Sequence, residues 1–393
     1  LSTQKIVIRL IPLLCVLASF VILLTSNSCG KGLYEVTSTA SVTTTATPVA
    51  NAFLYATNFS DGTVSSFKRN TTTGALAFIS KQSAGAVNGP MGIAVTPKND
   101  LAFVVNSGDG KVYEYELVQS GTTPGNLSSV GSIAAGTTPQ QVAIDSTGTY
   151  VYVTNGGSRT VSQYVINSQA ENVLTANGTV TGFLGTPFGV IAYPSAQFLY
   201  VSDNTANLLY TYTIGSNGSL TQVGDAVASL GTAPGLMAIA IDSTQSYLMV
   251  DDTVSGVVSV FLIQSNGTLV SNGSFGVSQT NTIGIAAVND GGDSGNNYVL
   301  TANRTGNFVQ PYVRVNGVLT QQTGVTDTSQ PTGLVIDPAG LFAYTGNSGT
   351  GTIALIGINS SQCSGQAFCV ISSYTSESPA NSNAGTQFIA TSH

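Results

Sequence analysis

Seven short apolar segments, each closing on Asn or Asp, recur along this chain at a nearly constant interval. They are FLYATN ending at Asn58, LAFVVN at Asn106, YVYVTN at Asn155, FLYVSD at Asp203, SYLMVD at Asp251, YVLTAN at Asn303 and FAYTGN at Asn347, which gives successive intervals of 48, 49, 48, 48, 52 and 44 residues. Self-similarity at such a period marks a repeat architecture, in which no unit can bury its apolar face alone. A second marker keeps the same period. Pro90, Pro139, Pro187, Pro234 and Pro331 each precede a short apolar strand, and IGIAAVN from Ile283 to Asn289 fills the sixth slot without a proline. After each hexamer come a turn and a third strand, such as TVSSF, KVYEYEL, TVSQYVI or VVSVFLI. A hairpin then leads to a fourth strand, visible as TTGAL, SNGSL, SNGTL and VNGVL, where Asn-Gly supplies the positive φ of a tight turn.

Four antiparallel strands per repeat, with period 2 and no helical stripe, make an all-β blade, and seven blades make a seven-bladed β-propeller. β-Solenoid turns are shorter than this repeat, and immunoglobulin-like domains need about 100 residues each. A ring of blades must close or leave open strand edges. The folded part opens at Phe53 on a second-strand hexamer with no inner strand before it, whereas the chain finishes in GTQFIATSH, with Pro379 placed 48 residues after Pro331. Thr386 to Thr391 is therefore expected to join the N-terminal strands in one composite blade.

Charged residues are only 7% of the chain while hydrophobic residues are 42%, so the low charge does not signal disorder. With 11 Lys and Arg against a net charge of −7, no basic surface is available for nucleic acid. The first residues differ from the rest. Lys5 and Arg9 precede an uncharged apolar run from Leu10 to Leu24, followed by TSNSC ending at Cys29. This is the layout of an export signal, and the run is short for a membrane span. Cys29 stands where a bacterial lipoprotein signal carries its lipidated cysteine, although Ser26 replaces the usual Leu. The expected organisation is a lipoprotein-type signal over 1–29, a Ser/Thr-rich tether over 30–50 and the propeller over 51–393. The chain is then exported and held at the membrane only through its N-terminal lipid or signal. Cys363 and Cys369, six positions apart in an exported chain, are expected to close a disulfide loop.

The blade residues also carry a family resemblance. LYATN followed by GTVSSF in the first blade, with YVYVTN in the third, resembles the seven-bladed lactonase propellers, a family that includes bacterial 6-phosphogluconolactonase and the fungal carboxymuconate-lactonising enzyme. The literal YVTN at Tyr152 to Asn155 also resembles YVTN-type surface propellers. The resemblance implies the fold over nearly the whole chain after residue 50, and a lactonase activity at the channel face.

The residues themselves leave two functions open. The hexamer ends begin the loops between second and third strands, on the face where propellers usually hold ligands. Their Asn and Asp side chains suit Asx-turns. Arg159 and Arg304 lie in such loops of the third and sixth blades and can hold a carboxylate or polarise a lactone carbonyl. Asp203 or Asp251 would then activate water. Asp203, Asp251 and Asp252 with Asn204 also offer oxygen ligands for Ca²⁺, but without EF-hand spacing, so no cofactor is expected. Asp109 and Lys111 read as an exposed turn. The one histidine is His393, which removes any His-dependent triad or base from the body and with it the muconate branch's chemistry. The first function is a cell-surface binding or scaffold module for carbohydrate or protein. The alternative is an extracytoplasmic lactonase acting on a small sugar lactone or related ester.

Overall fold

The computed structural model describes residues 52–85, 89–167, 173–195, 197–276, 281–289, 297–326, 329–376 and 386–391. The signal, Cys29, the tether, Pro379 and His393 lie outside the described residues. Seven antiparallel sheets follow one another along the chain, and each is a blade. Blades 2 to 7 run from an inner strand to an outer one, starting with inner strands at Pro90–Val95, Pro139–Ile144, Pro187–Ala192, Leu236–Ile241, Thr282–Asn289 and Pro331–Ile336. Blade 1 is composite. Its order from the outside is Leu76–Ser83, Thr63–Arg69, Ala52–Asn58 and then Thr386–Thr391, with Leu54 opposite Thr391 and Ala56 opposite Ile389. The C-terminal strand closes the ring, as expected from the displaced ends. The seven inner strands touch in cyclic order, with 386–391 lying between 331–336 and 90–95. The fourth strands of blades 4 and 6 are broken in two, at Leu220–Gln222 with Val227–Ala228 and at Val318–Gln321 with Val325–Thr326.

One register differs from expectation. In blade 5 the strand is YLMVDD, Tyr247–Asp252, and Asp252 pairs with Leu236 just as Asp203 pairs with Pro187 and Asn155 with Pro139. The hexamer end is therefore Asp252, and Asp251 occupies the penultimate position. Two consecutive Asp residues satisfied the hexamer pattern in either frame, and only pairing with the inner strand decides between them.

Blades are joined by a repeated device. The first residue of a hexamer is usually aromatic, and its ring covers the hairpin glycine of the next blade. At Gly218 (φ 80°) and Gly267 (φ 85°) a Cβ would fall 2.2 Å and 2.5 Å from the rings of Tyr150 and Phe198, so these glycines are required twice, by backbone conformation and by close approach. The hexamer tyrosines add hydrogen bonds to the same turns: Tyr152 OH donates to Gly218 O (2.9 Å), Tyr200 OH to Gly267 O (3.0 Å) and Tyr344 OH to Gly74 O (2.7 Å). Blade 7 replaces its short hairpin with a loop closed by the Cys363–Cys369 disulfide. Its Asn359 Nδ2 and Phe368 ring meet Tyr298 of blade 6.

Two seams carry buried ion pairs. Arg69 and Arg314 are the seventh residues of their third strands, where the other blades have Leu117, Ile166, Ile214, Ile263 and Ile358. Arg69 Nη1 donates to Asp337 Oδ2 of blade 7 (2.9 Å), and Arg314 Nη2 to Asp242 Oδ2 of blade 5 (2.6 Å) while its guanidinium lies over the Tyr247 ring. Both aspartates also cap the turn that follows their own inner strand. Asp337 Oδ1 accepts from Leu341 N and Phe342 N, and Asp242 Oδ1 from Ser246 N and Tyr247 N.

Candidate functional site at the channel mouth

The channel is narrow at its middle. Its central cavity is about 140 Å³, lined mainly by Ile93, Val190, Ile239, Leu334 and Ile389, with Gln141 as its polar side chain. Ligand pockets usually need roughly 300 Å³ or more, so a ligand on this axis stays at an end. At the end where hexamers finish, the backbone builds a regular rim. The residue after each hexamer donates its N–H to the residue just before the inner strand: Ser107 to Gly89, Gly156 to Thr138, Asn204 to Thr186, Thr253 to Gly235, Arg304 to Asn281 and Ser348 to Gln330. Phe59 holds this position in blade 1, and its carbonyl accepts from Gly89 N.

The side chains of this rim divide sharply. The hydroxyls of Ser107, Thr253 and Ser348 donate to the same carbonyls as their own N–H groups, at 3.0–3.1 Å. Asn204 Nδ2 donates to Leu236 O (2.9 Å), and Gly156 has no side chain. Phe59 and Arg304 remain. Phe59 is 36% exposed, Arg304 is half-buried, and neither side chain has a polar partner among the described residues.

Arg159 does not share Arg304's place. It is the fourth residue after its hexamer, an exposed position with φ 57°, equivalent to Asn207 and Asn307, and its Nη1 reaches back to Leu184 O at 3.5 Å. Being in corresponding loops does not make the two arginines equivalent, because one is the first residue of its loop, bonded to the inner-strand connection, and the other the fourth, at positive φ.

The expected water-activating carboxylates are engaged elsewhere. Asp203 is fully buried, with Oδ2 accepting from Gly185 N (2.8 Å) and Oδ1 from Ala206 N (3.1 Å), which makes it a turn cap. Asp251 is also fully buried, and Ala238 N donates to its Oδ1 at 2.7 Å. Burial pushes the Asp251 carboxyl well above the usual carboxylate range. Asp252 is buried too, its Oδ1 capping Val254 N and Ser255 N. These three do not converge as oxygen ligands, and among the described residues no three His, Cys, Asp or Glu side chains form a metal-holding group.

Two part-exposed carboxylates stand third after their hexamers on this face: Asp61, which is paired with Lys81 at 2.9 Å, and Asp109. Asp109 carries no such ion pair among the described residues. It lies in a hollow of about 560 Å³ between blades 2 and 3, together with Ser107, Gly136, Thr138 and Ser158. Its Oδ2 accepts from Tyr113 OH, which raises the phenol to about 12, mainly through burial and then through this bond. Oδ1 has no partner among the described residues. In the sequence Asp109 is one polar residue of a Ser-Gly-Asp-Gly turn, so nothing local separates it from an ordinary surface turn. Thr138, at the rim beside it, is a β-branched residue held at φ 53° before a proline, a costly conformation that the surrounding backbone maintains.

Residues 90–285 match the family model for the lactonase seven-bladed β-propeller. That stretch spans blades 2 to 5 and the start of blade 6. A 6-phosphogluconolactonase from Yersinia pestis is 24% identical over 182 residues, covering 45% of this chain and 54% of the relative. The chain thus aligns with about half the length of the curated relatives it matches. Among solved structures, a Pseudomonas aeruginosa periplasmic gluconolactonase superposes with a TM-score of 0.70 at 15% identity, covering 87% of this chain and 99% of that one. A dihydro-heme d1 dehydrogenase, NirN, superposes with a TM-score of 0.57 at 14% identity, covering 84% of this chain and 64% of that one. Likeness at these identities establishes the propeller fold, which serves unrelated chemistries.

Proposed function

We propose that the protein is an exported lactonase that opens a small sugar lactone or related ester at the mouth of its channel. The observation that carries this reading is the rim, where Arg304 is the one uncommitted cation of seven equivalent positions, in a chain matched by the lactonase propeller model. Arg304 would polarise the lactone carbonyl and stabilise the oxyanion that forms on attack. Phe59 would receive the apolar face of the ring. Asp109, on the same face, would take the proton from the attacking water. The N-terminal signal, with Cys29 as its lipidation point, would place this reaction outside the cytoplasm.

The test is hydrolysis of a lactone panel followed by pH-stat titration with the purified protein. Turnover that falls at least about 100-fold in both Arg304→Ala and Asp109→Asn supports the reading. Turnover unchanged in both variants removes the site, and no turnover on any lactone removes the activity. A second reading is a carbohydrate- or protein-binding module of the cell surface. It is favoured by one observation, that the hexamer-end and penultimate carboxylates Asp203, Asp251 and Asp252 are all buried in structural roles. Glycan or protein binding that persists without turnover is its expected signature.

A further inference from the structure

The penultimate hexamer position makes a recurring polar link between neighbouring blades. In blade 3, Thr154 Oγ1 accepts from Gln141 N of its own inner strand (3.1 Å) and donates to Phe188 O of blade 4 (2.6 Å). In blade 4, Ser202 Oγ accepts from Gly189 N (2.8 Å) and donates to Met237 O of blade 5 (2.8 Å). Gln141 and Gly189 are each the third residue of an inner strand, whereas Phe188 and Met237 are each the second residue of the next one. In blade 5 the same position holds Asp251. Its Oδ1 accepts from Ala238 N, again the third residue of the blade's own inner strand. The second residue of the following inner strand is Ile283. Half of the link is present, and the other half needs a donor.

The geometry points to Asp251 being held as the neutral carboxylic acid, with Oδ1 accepting from Ala238 N–H and the Oδ2 hydroxyl donating to the Ile283 carbonyl of blade 6. A carboxylate cannot make the second bond, because it only accepts. Its Oδ2 is buried and makes no hydrogen bond, which for an ionised oxygen is a large cost. The backbone N–H groups of Ala238, Met237 and Asp251 favour the charged form, and burial outweighs them. The strands at Leu236–Ile241, Val257–Ile263, Thr282–Asn289 and Asn297–Asn303 carry no charged residue, and the one charge beside Asp251 is Asp252, of like sign. Burial and that neighbour both raise the carboxyl above its ordinary range. The proton thus completes, in blade 5, a link that hydroxyls make in blades 3 and 4.

The link also bears on the rim. Ile283 lies two residues after Asn281, whose carbonyl accepts the Arg304 N–H (3.1 Å) and whose N–H donates to Thr253 O. Removing the proton would set a bare carboxylate oxygen against a carbonyl oxygen in the seam that carries this part of the mouth. The sign follows from linkage. The folded chain keeps a proton that the unfolded chain releases in the ordinary carboxylate range. The link's contribution is therefore whole below that range and declines as pH rises toward the folded value.

Asp251→Asn tests this on the full chain, because its amide presents the same acceptor and a permanent donor. From about pH 5 upward, the folding constant of Asp251→Asn relative to wild type, measured by urea unfolding, is expected to rise about tenfold per pH unit. Asp251→Ser, the blade 4 arrangement, is expected to follow the same slope from a lower starting value. In addition, the infrared difference spectrum of wild type minus Asp251→Asn at neutral pH is expected to show the carbonyl stretch of a protonated carboxyl. A pH-independent ratio for both variants overturns the proposal, as does a difference spectrum holding only carboxylate bands.

Discussion

The two kinds of loop position at the hexamer face obey opposite rules. Hexamer ends are nearly uniform, always Asn or Asp and always buried, with their side chains spent on nearby backbone or on hydroxyls of the adjoining third strand. The next residue along is almost free to vary, and five of its seven occupants are self-satisfied or lack a side chain. The fold is written at the first position, and the proposed site is drawn from the second. A residue that repeats in every blade is there to make blades, so the candidate site is found where the repeat breaks. Arg304 and Phe59 are such breaks at the rim, and Arg69 and Arg314 are such breaks within the seams.

This contrast can be challenged by variants that touch one side of it alone. The largest effect is expected from deleting residues 384–393, which removes the inner strand of blade 1. The ring cannot close, and circular dichroism with analytical gel filtration should report an unfolded or aggregated chain. A truncated protein that melts like the full one would overturn the closure. Next come Arg69→Ala and Arg314→Ala, each leaving a buried aspartate without its partner, expected to cost about 3–5 kcal/mol in urea unfolding. Replacing the same arginines with Met should cost far less only if paired with Asp337→Asn or Asp242→Asn. Asp203→Ala, which removes a cap while leaving the rim intact, should cost about 1–2 kcal/mol and leave lactone turnover per folded molecule unchanged. Smallest in stability, within about 0.5 kcal/mol, should be Arg304→Ala. Its effect belongs entirely in turnover or ligand affinity, and a melting loss comparable to that of Arg69→Ala would erase the distinction between seam and rim.

Much of the fold was legible in the sequence because every level agreed. Hexamers, prolines before inner strands and Asn-Gly hairpins repeat in phase, and each enforces the same strand pairing. Even the closure could be inferred, since the chain lacked an inner strand at one end and had a spare one at the other. The site was less legible, for definite reasons. Asp203 and Asp251 look like available carboxylates in one dimension, but strand alternation turns them into the seams on either side of the blade. Arg159 and Arg304 lie in corresponding loops of blades 3 and 6 but at different positions, and the hydrogen bond from residue 304 to Asn281 is what marks the rim. The seam arginines did leave a trace, because Arg69 and Arg314 stand in a column otherwise filled by Leu and Ile. An alignment of the seven third strands against one another exposes it. Asp109 left none, since the tertiary approach of blade 3 is what makes its hollow.

The composite blade also has a consequence in time. Strand 52–58 pairs on one side with 63–69, its immediate neighbour in the chain, and on the other with 386–391. At about 5–20 residues per second of synthesis, that second partner arrives on the order of tens of seconds after the first. Throughout the interval six blades can assemble while the first presents an open, apolar edge of the kind that recruits foreign strands. The ring is therefore most exposed to misassembly just before it is finished, and whatever shields residues 52–58 during that wait governs how much of the protein reaches its closed form.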